Sequence, residues 1–122
     1  KEKAYVPYSK FRVGAALLTE DGTVFTGCNI ENASFGLSNC AERTAIFKAI
    51  SEGFQKIKAI AISTDTEKIT SPCGACRQVI MEFGDEIDVI MANVHGQYQV
   101  YKAKELLPLA FSPAKLEEER RI

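Results

Sequence analysis

Residues 56–64, "KIKAIAIST", are apolar at nearly every interior position, and helix-like patterns lie on either side of them. A run this short and this continuously apolar reads as a strand buried on both faces. Such a strand belongs inside a sheet, and passing from strand to helix to strand requires a crossover that covers a sheet face. That one segment therefore points to an α/β architecture.

The flanking segments agree. From Cys40 the pattern becomes helical, with Ala41, Ala45, Ile46, Ala49 and Ile50 on one apolar face and Gly53 closing it. Ser38 or Asn39 is the expected N-cap. "CGACRQVIMEF" reads as a second helix that opens after Pro72 and ends near Gly84. Upstream, "FRVGAALLT" and "TVFTGCNIEN" form a hairpin about the turn signal Asp21-Gly22. Downstream, "IDVIMANV" and "QYQVYKA" supply two more strands across the turn at His95-Gly96, and "AKELLPLAF" is a short helical turn ended by Pro108. The order is β-β-α-β-α-β-β, a five-stranded sheet in one domain spanning residues 1–122.

The composition suits that reading, since 122 residues with 46% hydrophobic content can bury one core. No run reaches membrane-spanning length and no secretion signal is visible. The net charge is −1 with no basic stripe, which argues against a nucleic-acid partner. The tail "KLEEERRI" reads as a solvated helix end.

Four cysteines carry the chemistry: Cys28, Cys40, Cys73 and Cys76. Cys73-x-x-Cys76 alone suits a redox dithiol or a metal pair equally. Pro72 before the pair, and Cys40-Ala41-Glu42 upstream, move the balance to zinc. Cys28 lies within a strand and reads as a small buried hydrophobe; His95 reads as a turn residue. Three thiolates leave one position open, which marks a catalytic zinc site rather than a closed structural one. A closed site using all four cysteines is the alternative.

Glu42 follows Cys40 by two residues, close enough to serve the metal without binding it. Zinc lowers the pKa of bound water to about 7. A neighbouring carboxylate can then collect and redeliver the proton, an effect worth about 10²–10⁴-fold. Glu42 could equally stabilise the first helical turn, and the two roles can coexist. Three thiolates oversupply negative charge; Arg43, one turn beyond Cys40, and the two helix N-termini are placed to offset it. Alternation along the second strand puts Asn29 and Glu31 on one face and Cys28 on the other.

These residues resemble the zinc-dependent cytidine and deoxycytidylate deaminases, specifically the small three-cysteine cytidine deaminases. The likeness rests on "PYSKFRVGAAL", "GCNIENASF", "CAERTAIFKAISEG", "SPCGACRQVIMEF" and "ELLPLAF", from about Tyr5 to Phe111. It implies a three-layer α-β-α fold about a five-stranded mixed sheet. It also implies one zinc per subunit on Cys40, Cys73 and Cys76, and proton shuttling by Glu42 in the hydrolysis of cytidine and 2′-deoxycytidine to the uridines and ammonia. By the same resemblance Asn29 and Glu31 hold sugar hydroxyls, Phe11 packs on the pyrimidine and the Ala41 main chain meets the base edge. The resemblance further implies a homotetramer with shared active sites in which Phe111 reaches across an interface, while a C-x-x-C pair without a secretion signal points to the cytoplasm.

From the residues alone, Phe11 reads as readily as core, and Asn29 as a strand-end residue. Phe35 stands where the family often has Tyr, and the family's N-terminal helix is mostly missing from this chain. Rival readings are a deaminase of another aminopyrimidine such as blasticidin S, a polynucleotide editor, and a non-catalytic zinc module. The Asn29-Ile30-Glu31 element disfavours the first because an amide with a carboxylate suits a free ribose.

Overall fold

The computed structural model describes residues 1–34, 38–69 and 71–109. Its strands are β1 (Val13–Thr19), β2 (Val24–Cys28), β3 (Ile57–Thr64), β4 (Asp88–Ala92) and β5 (Tyr98–Lys102). Helices α1 (Ala41–Ser51) and α2 (Gly74–Phe83) occupy the two crossovers, and the short α3 (Ala103–Leu106) follows β5. The sheet order is β2-β1-β3-β4-β5. Among the described strands only β3 and β4 pair in parallel, so the sheet is mixed, with two strand-helix-strand passages lying between a hairpin at each end.

The hairpin turn falls where Asp21-Gly22 placed it. Gly22 adopts φ 92°, a conformation that favours glycine, and the Asp21 carboxylate accepts the Thr23 N–H at 3.1 Å. The second strand is shorter than its sequence pattern: it stops at Cys28 because Asn29 ends the ladder. The Asn29 side-chain oxygen, rather than its main-chain carbonyl, accepts the Val13 N–H at 3.0 Å. The freed carbonyl takes the Tyr5 N–H at 3.0 Å instead, turning the chain out of the sheet.

The core lies on one face of the sheet. Ala15 and Leu17 of β1, Ile60 and Ile62 of β3, and Val89 and Met91 of β4 meet Ala45, Ile46 and Ala49 of α1 and Ile80 and Met81 of α2. Of the three layers, the described residues build the sheet and this helical one. On β3 that face is fully buried while Ala59, Ala61 and Ser63 on the other are half-buried, a less complete burial than the apolar run implied. An isolated helix of α1's length is marginal in water, so packing decides whether it forms. Fully burying a side chain such as Ile46 contributes about 1.5–3 kcal/mol.

The helix can lie close because β2 offers Gly27 beneath it. A Cβ there would sit 2.6 Å from both the Ala41 carbonyl oxygen and the Ala45 nitrogen. The N-cap of α1 is Cys40 rather than Ser38 or Asn39, and its side chain makes no capping bond. Asn39 instead donates to the Thr44 hydroxyl at 3.0 Å.

Candidate metal centre and active site

Cys40 and Cys73 are the N-caps of α1 and α2, and neither thiol caps its own helix. Serine or aspartate would serve a helix start better, so local helix stability is given up at both positions. What the chain obtains is a meeting of thiols from distant segments. Cys40 Sγ lies 3.9 Å from Cys73 Sγ, and Cys73 Sγ lies 3.4 Å from Cys76 Sγ. The three sulfurs fall within 4.8 Å of one another.

A tetrahedral zinc shell with sulfur about 2.3 Å from the ion spaces neighbouring sulfurs about 3.8 Å apart, so this donor set fits the ion. Both helices present their positive N-terminal ends to the thiols. Cys28 lies outside the cluster on β2, which leaves the four-thiol arrangement without its fourth member. His95 also lies outside it, in the β4–β5 turn, where its main-chain N–H donates to Asn93 Oδ1 at 3.0 Å.

Arg43 donates from Nη2 to Cys40 Sγ at 3.2 Å, while its buried Nε has no partner among the described residues. The Cys40 thiol is pulled down to about 5, first by hydrogen bonding with Cys76 and then, after the opposing effect of burial, by Arg43. Cys76 moves the opposite way, raised through the same bond with Cys40 and by burial. Glu42 is 4% exposed. Burial, reinforced by the Cys40 charge, raises its carboxyl above the ordinary range, with hydrogen bonding to Cys76 opposing.

A cavity of about 270 Å³ opens beside this cluster. Phe11, Val13, Ile62 and Pro72 form its apolar walls, while Asn29, Ala41, Glu42, Thr64 and Ser71 complete the lining with Cys40 and Cys73. The structure thus brings together Phe11, Asn29, Ala41, Glu42 and two of the three cysteines around one space.

Glu31 is held apart, lining a neighbouring recess with Tyr8, Ser9 and Ser38. Its Oε1 accepts the N–H groups of Tyr8 and Ser9 at 3.0 and 3.1 Å, and its Oε2 accepts the Ser9 hydroxyl. Ser9 Oγ in turn accepts the Phe11 N–H at 3.0 Å. These bonds, the Ser9 hydroxyl foremost, hold the Glu31 carboxyl below its usual range. The Asn29 amide grips the same segment from the other side, donating to the Phe11 carbonyl at 2.8 Å. Phe35 and Phe111 lie outside the described residues.

Sequence reasoning did not single out Thr64, Ser71 or Pro72 as lining residues, nor Ser9 as a support. The place of Thr64 was within reach, because ligands in open α/β sheets gather beyond the carboxyl ends of the strands. Ser71 and Pro72 merely precede a ligand candidate in the chain, which is a weak signal.

Residues 1–92 match the model of the family described as the cytidine and deoxycytidylate deaminase zinc-binding region. Cytidine deaminase of Sporosarcina psychrophila is 57% identical over 113 residues, covering 92% of this chain and 83% of that protein. The Mycobacterium tuberculosis cytidine deaminase is 43% identical, covering 97% of this chain and 86% of its own. The crystal structure of cytidine deaminase from Burkholderia pseudomallei superposes with a TM-score of 0.87 at 54% identity, covering 90% of this chain and 89% of that one.

Proposed function

Because this chain belongs to the cytidine and deoxycytidylate deaminase family, we propose that it hydrolyses cytidine and 2′-deoxycytidine to the corresponding uridines, releasing ammonia. The observation that carries this reading is a buried carboxyl, Glu42, sharing one cavity with a three-thiol cluster. Cys40, Cys73 and Cys76 are the residues that would hold zinc. When bound, zinc supplies a Lewis-acidic position that lets water ionise near neutral pH.

The chain's own residues do the rest. Glu42 takes the proton of the attacking water and delivers it to N3 of the pyrimidine as the oxygen adds at C4. It then takes the remaining proton from the C4 hydroxyl of the adduct and passes it to the exocyclic amine, so that the C4–N bond breaks, ammonia leaves and the C4 carbonyl of uridine forms. Low solvent access around Glu42 keeps that proton from exchanging idly with bulk water. Phe11 packs on the base and the Ala41 main chain meets its edge, with Asn29 and Glu31 toward the sugar hydroxyls. Asn29 bonds directly to Val13 and Phe11, and the Ser9 hydroxyl that donates to Glu31 accepts the Phe11 N–H, so Phe11 is held in place. Arg43 offsets the thiolate charge through its bond to Cys40.

We read residues 1–122 as a single catalytic domain. We also assign the chain to a cytoplasmic homotetramer in which Phe111 completes a neighbouring site; among the described residues no helix is long and apolar enough to cross a membrane. The test is cytidine absorbance over time with zinc-replete protein. A fall matching uridine is expected, with nearly all turnover lost in Glu42→Gln while zinc is retained. A flat trace for the unaltered protein refutes the substrate, and near-normal rates in the variant refute the role of Glu42.

A further inference from the structure

Arg77 follows Cys76 directly and belongs to none of the roles above. Its side chain spends all three guanidinium nitrogens on separate acceptors. Nε donates to the Pro72 carbonyl at 2.9 Å, Nη2 to Ser71 Oγ at 2.8 Å and Nη1 to the Leu106 carbonyl at 2.7 Å. Two of these acceptors form the turn that delivers Cys73, and the third closes α3.

That turn needs outside support. Pro72 has no N–H with which to anchor itself. Cys73 is exposed, and as the N-cap of α2 it makes no capping bond. Ser71 and Pro72 also form part of the cavity wall. A planar fork reaching three fixed acceptors holds such a turn at a set distance from the helix it enters.

We propose that Arg77 is a positioning residue that mounts the Cys73 turn on the end of α3, so that the grip on zinc depends on this three-way clamp. The inference rests on the assignment of Cys40, Cys73 and Cys76 as zinc ligands. The role is geometric rather than electrostatic. If the positive charge alone mattered, lysine would replace Arg77, but its ammonium lacks the planar fork and meets these three acceptors poorly. Groups that orient a metal ligand typically account for about 10–100-fold in metal affinity or activity.

The experiment follows zinc release from the zinc-loaded full chain to an excess of a chromogenic chelator, at a temperature where circular dichroism shows every variant folded. Arg77→Lys and Arg77→Ala are both expected to release zinc about 10–100-fold faster than the unaltered protein. Ser71→Ala gives a smaller increase. In the Ser71→Ala/Arg77→Ala double variant the two effects combine less than additively in free energy, because the residues share one bond. Release from Arg77→Lys at the unaltered rate overturns the clamp, as does full additivity in the double variant.

Should Arg77→Ala fail to fold, the lysine variant still decides. The release assay does not depend on turnover. Fast release from the variants of a protein that leaves cytidine unchanged upholds the clamp and refutes only the substrate. A protein that takes up no zinc overturns the clamp together with the ligand assignment.

Discussion

Replacing Gly27 by alanine tests whether the close approach of α1 to β2 is what holds Glu42 in place. The added Cβ would stand 2.6 Å from two main-chain atoms, the Ala41 oxygen and the Ala45 nitrogen, and 3.0 Å from the Thr44 Cβ. To restore contact at 3.4 Å, the start of α1 must withdraw by roughly 0.8 Å. Overpacking costs about 1–3 kcal/mol, and contact with main chain, which has no rotamer to change, places this case near about 3 kcal/mol. For a domain of this size each kcal/mol moves Tm by roughly 3–5 °C, so a fall of about 10–15 °C is expected.

Function should suffer more than stability, because the first turn of α1 carries Cys40, Glu42 and Arg43 together. A shift of about 1 Å in a reacting group can cost about 10²-fold in rate. Thermal unfolding, zinc content and cytidine turnover are the assays. Gly74→Ala is the control for stability, since a Cβ there meets nothing within 4 Å and a helical position gains from alanine. A Gly27→Ala protein that melts within about 3 °C of the unaltered one and turns over normally would refute the reasoning.

Further outcomes follow from the site. Cys28→Ser should leave zinc stoichiometry unchanged, and a lost equivalent measured by atomic absorption would restore the four-thiol alternative. Arg43→Ala should lower turnover by about tenfold or more, or speed zinc loss comparably, since it removes the donor to Cys40; unchanged rate and retention would refute charge compensation. Glu31, held below its ordinary value of 4.5, favours the folded state above that pH. That contribution is lost as pH falls through the lowered folded value. Ser9→Ala should move the Glu31 midpoint back up in a carbon-13 NMR titration, and an unmoved midpoint would show that the Ser9 hydroxyl is not its chief partner.

Part of this architecture is legible in local pattern. A turn residue acts within its own few neighbours, so Asp21-Gly22 located the hairpin, and the apolar spacing of α1 marked the face that Ala41, Ala45, Ile46 and Ala49 bury. Pattern failed where partners from elsewhere intervened. The alternation through "TVFTGCNIEN" stops at Cys28 because Asn29 gives its side-chain oxygen to Val13, and no strand rule counts side-chain acceptors. Glu31, expected to face the same way as Asn29, is claimed by Tyr8 and Ser9.

The amino-acid sequence by itself determined the order of elements and the chemistry on offer: thiols at Cys40, Cys73 and Cys76, a carboxyl at Glu42 and a guanidinium at Arg43. These follow from residue identity and from spacing along one helix. Only the tertiary structure decided that Cys40 would meet Cys73, 33 positions away in the chain. It also decided that Glu42 would lose its solvent and that Arg77 would span from the Cys73 turn to the end of α3. The physical reason is that burial and convergence depend on which strands are neighbours and how closely a helix can lie on them. Here they depend on the order β2-β1-β3-β4-β5 and on the bare backbone at Gly27.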